Sequence, residues 1–168
     1  DVRGCEQLTS LTGLEGIGPA EEFTGLLVEN CPKLVDISAL SDSYLTKINF
    51  ANCTSLNDLS PLRTCETLEV LRFDGCVKIT NLASLQGHPA LQTVRGWDIG
   101  ALDLSFLGEL PMLKEIVLTS EVEGFDFASL EGHSELVSLI IRSPKQVGHS
   151  VLSNMVQLTH LGVSELTD

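Results

Sequence analysis

Aromatic side chains are scarce in this chain, at 5% of its 168 residues with a single Trp and a single Tyr, so its core has to be assembled from aliphatic groups instead of large rings. Positive charge is scarce too. Ten Lys and Arg stand against 23 Asp and Glu, a formal charge of -13, and a surface of that sign repels nucleic acid and anionic lipid at ordinary salt. Neither nucleic acid nor a membrane is therefore an expected partner. No apolar run approaches the ~20 residues that a membrane-spanning helix needs, and the first residues lack the charged-then-apolar order of a signal peptide. The chain also has no initiator Met, as expected of a processed or recombinant piece. No Gly-x-Ser-x-Gly, His-Glu-x-x-His or phosphate-cradling glycine loop occurs, so the chain is expected to be no enzyme and to need no cofactor.

What the chain has is a repeated phrase. Leu45, Ile48, Phe50, Cys53, Leu56, Leu59 and Leu62 are followed by Leu68, Leu71, Phe73, Cys76, Ile79, Leu82 and Leu85 in the same roles. Neither a period of 3.6 nor a period of 2 generates that spacing over its length, so the repeat itself is the structural unit. Its first apolar residue recurs at Phe23, Leu45, Leu68, Leu91, Leu113, Leu136 and Leu158, at intervals of 22, 23, 23, 22, 23 and 22 residues. Val2, Cys5, Leu8, Leu11 and Leu14 match Val28, Cys31, Leu34, Ile37 and Leu40 at a displacement of 26, and Gly16, Gly18 and Pro19 in the stretch Glu15 to Glu22 mark an enlarged outer loop.

A period of this length, carried by these residues, resembles the leucine-rich repeat family over nearly the whole chain. The form here is Cys-x-x-Leu followed by Asp-Ile-Ser-x-Leu or Asp-Leu-Ser-x-Leu. It is similar to repeats of trypanosomatid leucine-rich repeat proteins, and more loosely to those of short-repeat phosphatase regulators and bacterial internalin-like proteins. The resemblance implies an α/β fold: a right-handed solenoid with one curved parallel β-sheet on its concave face and short helical or 3₁₀ turns on its convex face. Residues 1–168 are then a single domain of about seven to eight repeats, partial at both ends. The last phrase ends in Gly-Val-Ser-Glu-Leu-Thr-Asp without a polar cap, as expected of a segment taken from a longer protein.

Each repeat offers an apolar-x-apolar strand, from Leu26-Leu27-Val28 through Ile48-Asn49-Phe50, Leu71-Arg72-Phe73, Val94-Arg95-Gly96, Ile116-Val117-Leu118 and Leu139-Ile140-Ile141 to Leu161-Gly162-Val163. Side chains alternate across a strand, so the middle residue of each triplet faces away from the core. Asp36, Asp58 and Asn81 precede Ser38-Ala39-Leu40, Ser60-Pro61-Leu62 and Ala83-Ser84-Leu85, which read as capped single turns. Cys5, Cys31, Cys53 and Cys76 share one repeat position, succeeded there by Ile99, Glu121 and Pro144. A buried column of free thiols is the expectation. It favours a reducing, cytoplasmic location, whereas the sequon Asn52-Cys53-Thr54 offers the alternative of a glycosylated cell-surface protein.

The outward positions are the ones the core leaves free. Lys47, Asn49, Arg72, Asp74, Arg95, Trp97, Asp98, Val117, Ile140 and Arg142 form the candidate partner-binding set on the concave face. Four of the ten basic residues lie there, and an Arg and Trp cluster has the composition enriched at interface hot spots. One structural reading competes with it: Trp97 folds into the gap left by Gly96, and the arginines pair with Asp74 and Asp98 as a solvated face. Cys65, His88 and His133 also share a position, but the histidines are two repeats apart, so a metal site is not expected and they read as helix-end residues. The function expected is a non-catalytic module that binds a protein or peptide, acidic in part, and acts as a monomer. The alternatives are a structural spacer or assembly arm, and an extracellular receptor or surface antigen domain.

Overall fold

The computed structural model describes residues 1–18, 25–100, 103–120, 125–142 and 147–163. Phe23, Pro19, Glu121, Pro144 and the terminal residues beyond Val163 lie outside the described residues. Eight strands are described: β1 (Val2–Arg3), β2 (Gly25–Glu29), β3 (Lys47–Asn49), β4 (Val70–Arg72), β5 (Thr93–Ile99), β6 (Glu115–Ser120), β7 (Ser138–Arg142) and β8 (His160–Val163). They form one sheet in sequential order, every neighbouring pair parallel. Leu26 pairs with Ile48, Ile48 with Leu71, Leu71 with Val94, Val94 with Ile116, Ile116 with Leu139 and Leu139 with Leu161, and Val2 pairs with Val28. The register thus steps by the sequence interval at every repeat, because a slip of one residue would turn every core side chain outward.

The core is a set of stacked ladders. Leu26, Ile48, Leu71, Val94, Ile116 and Leu139 are all buried, as are Val28, Phe50, Phe73, Leu118 and Ile141 in the second ladder. Leu161, on the last described strand, is 52% exposed because it has β7 on one side only. Opposite the sheet run 3₁₀ turns at Ser38–Leu40, Ser60–Thr64, Ala83–Leu85, Ser105–Glu109, Phe127–Leu130 and His149–Asn154. A recurring side-chain bond starts the first five: Asp36, Asp58, Asn81, Asp103 and Asp126 each accept the backbone N–H two residues on, at 2.7–2.9 Å. Turns of three to six residues leave no room for a longer α-helix between strands 22 or 23 residues apart, which is why the tighter turn is used. No helix among the described residues is long and apolar enough to cross a membrane.

Near the end of each of the first five strands, one residue bends the chain through the left-handed region. Gly4, Asn30, Asn52, Gly75 and Asp98 do so at φ 68°, 56°, 58°, 69° and 51°. These are the residue types that tolerate this conformation. At Gly75 a Cβ would run into the Asn52 amide oxygen. The bend turns a backbone N–H to the next repeat: Gly4 donates to Glu29 O, Asn30 to Ala51 O, Asn52 to Asp74 O and Gly75 to Trp97 O. Asn52 also donates through Nδ2 to Asn30 Oδ1 at 2.9 Å.

The cysteines are free, and Cys31, Cys53 and Cys76 stack as a buried ladder, which the expected fourth member, Cys5, does not join in burial. Cys53 Sγ donates to Val28 O at 3.3 Å and Cys76 Sγ to Phe50 O at 2.9 Å, each bonding a strand carbonyl of the preceding repeat. Cys5 is exposed, while burial pushes the Cys31 thiol up, Cys53 to about 11 and Cys76 to about 12.

Candidate functional site

The outward face of the sheet carries the candidate set, and it divides into three kinds of residue. Lys47 on β3 and Arg72 on β4 are exposed and diagonal to each other, since Lys47 pairs with Val70 and Asn49 with Arg72. Among the described residues neither has an ion-pair partner. Asn49 between them is held, its Nδ2 donating to Glu29 Oε1 at 2.7 Å and its Oδ1 accepting from Ala51 N.

The second group gathers around β5 to β7. Arg95 faces Glu115 at 3.6 Å, both about a third exposed, so the attraction is screened and contributes ~0–1 kcal/mol. Trp97 is 37% exposed, with the Arg142 guanidinium carbon 6.0 Å from its ring centroid. Arg142 on β7 pairs with Thr119 on β6 and Trp97 is on β5, so the cation–π contact reaches over the width of β6. Beneath this region Val117 points away from the core yet is 2% exposed. It therefore supports the surface and does not itself form part of the accessible face, contrary to its place in the expected binding set. Ile140, one strand on, remains half-buried and apolar.

Local chain geometry explains why Trp97 stands out. The gap at Gly96 is already closed: a Cβ there would lie 2.8 Å from Phe73 Cε2 and 2.9 Å from Ile99 Cγ2. The ring has no void to fold into, which sets aside the reading that Trp97 plugs the core. Its backbone is pinned to the end of β4, the N–H donating to Asp74 Oδ1 at 2.8 Å and the carbonyl accepting from Gly75 N at 2.7 Å. Beyond it the β5–β6 register shifts between Gly96 and Ile99, an irregularity of the kind that re-aims a side chain.

The third group serves the turn. Asp98 is the left-handed residue of its repeat, and its N–H donates to Thr119 Oγ1 at 2.9 Å where the earlier repeats use a backbone carbonyl. Asp74 is spent on the Trp97 backbone. In place of the competing reading's pairing of the arginines with Asp74 and Asp98, Arg95 faces Glu115. That partner was open to sequence reading, because Thr93 aligns with Glu115 and leaves Arg95 diagonal to it on the same face.

Cys65, His88 and His133 line the opposite layer and close the 3₁₀ turns. Cys65 Sγ donates to Leu40 O at 3.0 Å, His88 Nε2 bonds Cys65 O at 3.1 Å and His133 Nε2 bonds Leu110 O at 3.1 Å. His88 is buried, and burial lowers its pKa. The neutral ring carries its proton on Nε2, leaving Nδ1 to accept from Ala90 N. No cluster of three His, Cys, Asp or Glu able to hold a metal exists among the described residues.

No protein-family model matches the chain, and no curated protein matches its sequence. Among solved structures the chain is similar to an internalin C2 (inlC2) of Listeria monocytogenes str. 4b F2365, with a TM-score of 0.79 at 18% identity over 96% of this chain and 70% of that one. An internalin (inlF) of the same strain aligns at a TM-score of 0.40 and 15% identity over 88% of this chain and 63% of that one, too loosely to carry an argument. The first likeness is one of fold: the chain is a leucine-rich repeat solenoid.

Proposed function

We propose that the chain is a non-catalytic protein-interaction module that binds a partner protein or peptide on the outward face of its sheet. The observation that carries the reading is that Lys47, Arg72, Arg95 and Arg142 share one face with an exposed Trp97 in a chain of net charge -13. The local field on this face opposes the global one, so an acidic segment is repelled at long range and held at short range. A preformed sheet also binds without the cost of ordering a loop. The chain acts as a monomer in this reading, and its five free cysteines favour a reducing, intracellular setting.

Charge reversal tests it. Arg72→Glu with Arg95→Glu should abolish partner capture, whereas Lys33→Glu with Arg63→Glu, the same change in net charge off this face, should leave capture intact. Trp97→Ala should weaken it by about 2 kcal/mol if the ring is an anchor. Capture that survives the double reversal, together with a lowered melting temperature for Trp97→Ala, would make the cluster structural and move the binding surface elsewhere.

A further inference from the structure

The chemistry of the face is segregated along the solenoid. Its unpartnered cations, Lys47 and Arg72, sit on β3 and β4. The Arg95 charge is shared with Glu115 and the Arg142 guanidinium lies over Trp97. At the other end Ile140 is half-buried, and its partner across to β8 is Gly162, where an added Cβ would stand 3.2 Å from Ile140 Cγ2. With glycine there the Ile140 side chain lies over the Gly162 backbone, and Val117 stands on its other side.

From this arrangement we infer that the face recognises an extended peptide lying across the strands, with two carboxylates over Lys47 and Arg72 and an apolar side chain over Ile140 and Gly162. The inference rests on the proposed interaction face and specifies its ligand. Strands are ~4.8 Å apart, so Arg72 and Ile140, three strands apart, are separated by ~14 Å, and an extended chain rising ~3.3 Å per residue crosses that in about four residues. Lys47 lies diagonal to Arg72 at about 8 Å, close to two residues of such a chain. Alternation makes the spacing consistent: positions i, i+2 and i+6 of an extended peptide all face the sheet. The motif is acidic, any, acidic, any, any, any, apolar. A peptide crossing the strands gains no ladder hydrogen bonds from a sheet edge, so side-chain spacing supplies the specificity.

The test uses two capped peptides of equal composition and charge, Asp-Ser-Asp-Ser-Ser-Ser-Leu and Asp-Ser-Asp-Ser-Ser-Leu-Ser, titrated to millimolar concentration. Calorimetry gives the affinity, and the emission of Trp97, the chain's one tryptophan, reports the site. The first should bind about tenfold tighter than the second, whose leucine faces away, and should shift the Trp97 emission. Arg72→Glu should lose both peptides. Ile140→Ser should erase the difference between them while keeping weak binding. Equal affinities for wild type would overturn the spacing and leave recognition of an acidic segment standing. Failure of both to bind would overturn the inference entirely, while the charge-reversal capture experiment still judges the interaction face on its own.

Discussion

Gly96 is the point where core packing and the candidate face meet, and Gly96→Ala probes both. The new methyl would lie 2.8 Å from Phe73 Cε2 and 2.9 Å from Ile99 Cγ2, against a comfortable carbon separation of ~3.5–4.0 Å. Close to 1 Å must be absorbed on each side, and neither neighbour has space to retreat, since Phe73 and Ile99 are themselves buried. Overpacking of this kind costs ~1–3 kcal/mol. Glycine-to-alanine replacement also restricts the unfolded chain, which returns ~0.4–1 kcal/mol. A net loss of about 1–2 kcal/mol is expected, with a shift of Trp97 emission because the next residue is displaced. Phe73→Leu removes the ring edge that Gly96 accommodates and by itself should cost about 1–2 kcal/mol. The double variant should then lose less than the sum of the two costs, the contact with Ile99 remaining, a coupling of about 1 kcal/mol. Urea midpoints at constant slope, followed by far-UV circular dichroism and by Trp97 fluorescence, measure all three. Costs that add within ~0.5 kcal/mol would refute the shared gap and the account of Trp97 with it.

Three further outcomes are expected. Leu71→Ala, in the centre of the ladder at full burial, should cost ~2–5 kcal/mol, and Leu27→Ala on the outward face far less; equal losses in urea unfolding would contradict the register. In a native alkylation time course Cys5 should react first while Cys31, Cys53, Cys65 and Cys76 lag, because burial raises their thiol pKa values and the thiolate is the nucleophile. All five should react on unfolding without reductant, and fewer would mean a disulfide. Acid should destabilise in two windows. Burial holds the folded His88 below its ordinary value of 6.5, so the unfolded chain binds the extra proton and stability present above 6.5 is lost as pH falls through the folded value. The backbone N–H of Ser38, bonded to Asp36, holds that carboxyl below 3.8, with the same sign in a lower window. His88→Leu should flatten the upper window of a stability-against-pH curve, and an unchanged slope there would contradict the buried neutral ring.

The repeat was legible because stacking forces it to be. Every ladder residue meets its own equivalent one strand over, so Leu26, Ile48, Leu71 and Val94 have to recur at the strand interval, and the pairing follows those intervals. The same logic made the cysteine column and the Asp and Asn starts of the 3₁₀ turns visible, since each satisfies the same backbone group in successive repeats. The left-handed column Gly4, Asn30, Asn52, Gly75 and Asp98 was equally periodic, but its residue types vary and none is apolar. Asp98 therefore read as a surface charge when its work is in the turn.

The outward residues obey no such repetition, and there the chain by itself said less. Alternation determined that Arg72, Arg95, Val117 and Ile140 turn away from the core, because the pleat allows nothing else. It could not determine which of them remain accessible. Val117 is covered, Arg95 faces Glu115, and Arg142 reaches over β6 to Trp97. Those outcomes depend on long side chains crossing between repeats and on one register shift at the end of β5. Local spacing determined the ladder, whereas contacts between residues 20 to 45 positions apart decided the face, and only the packed sheet brings those residues together.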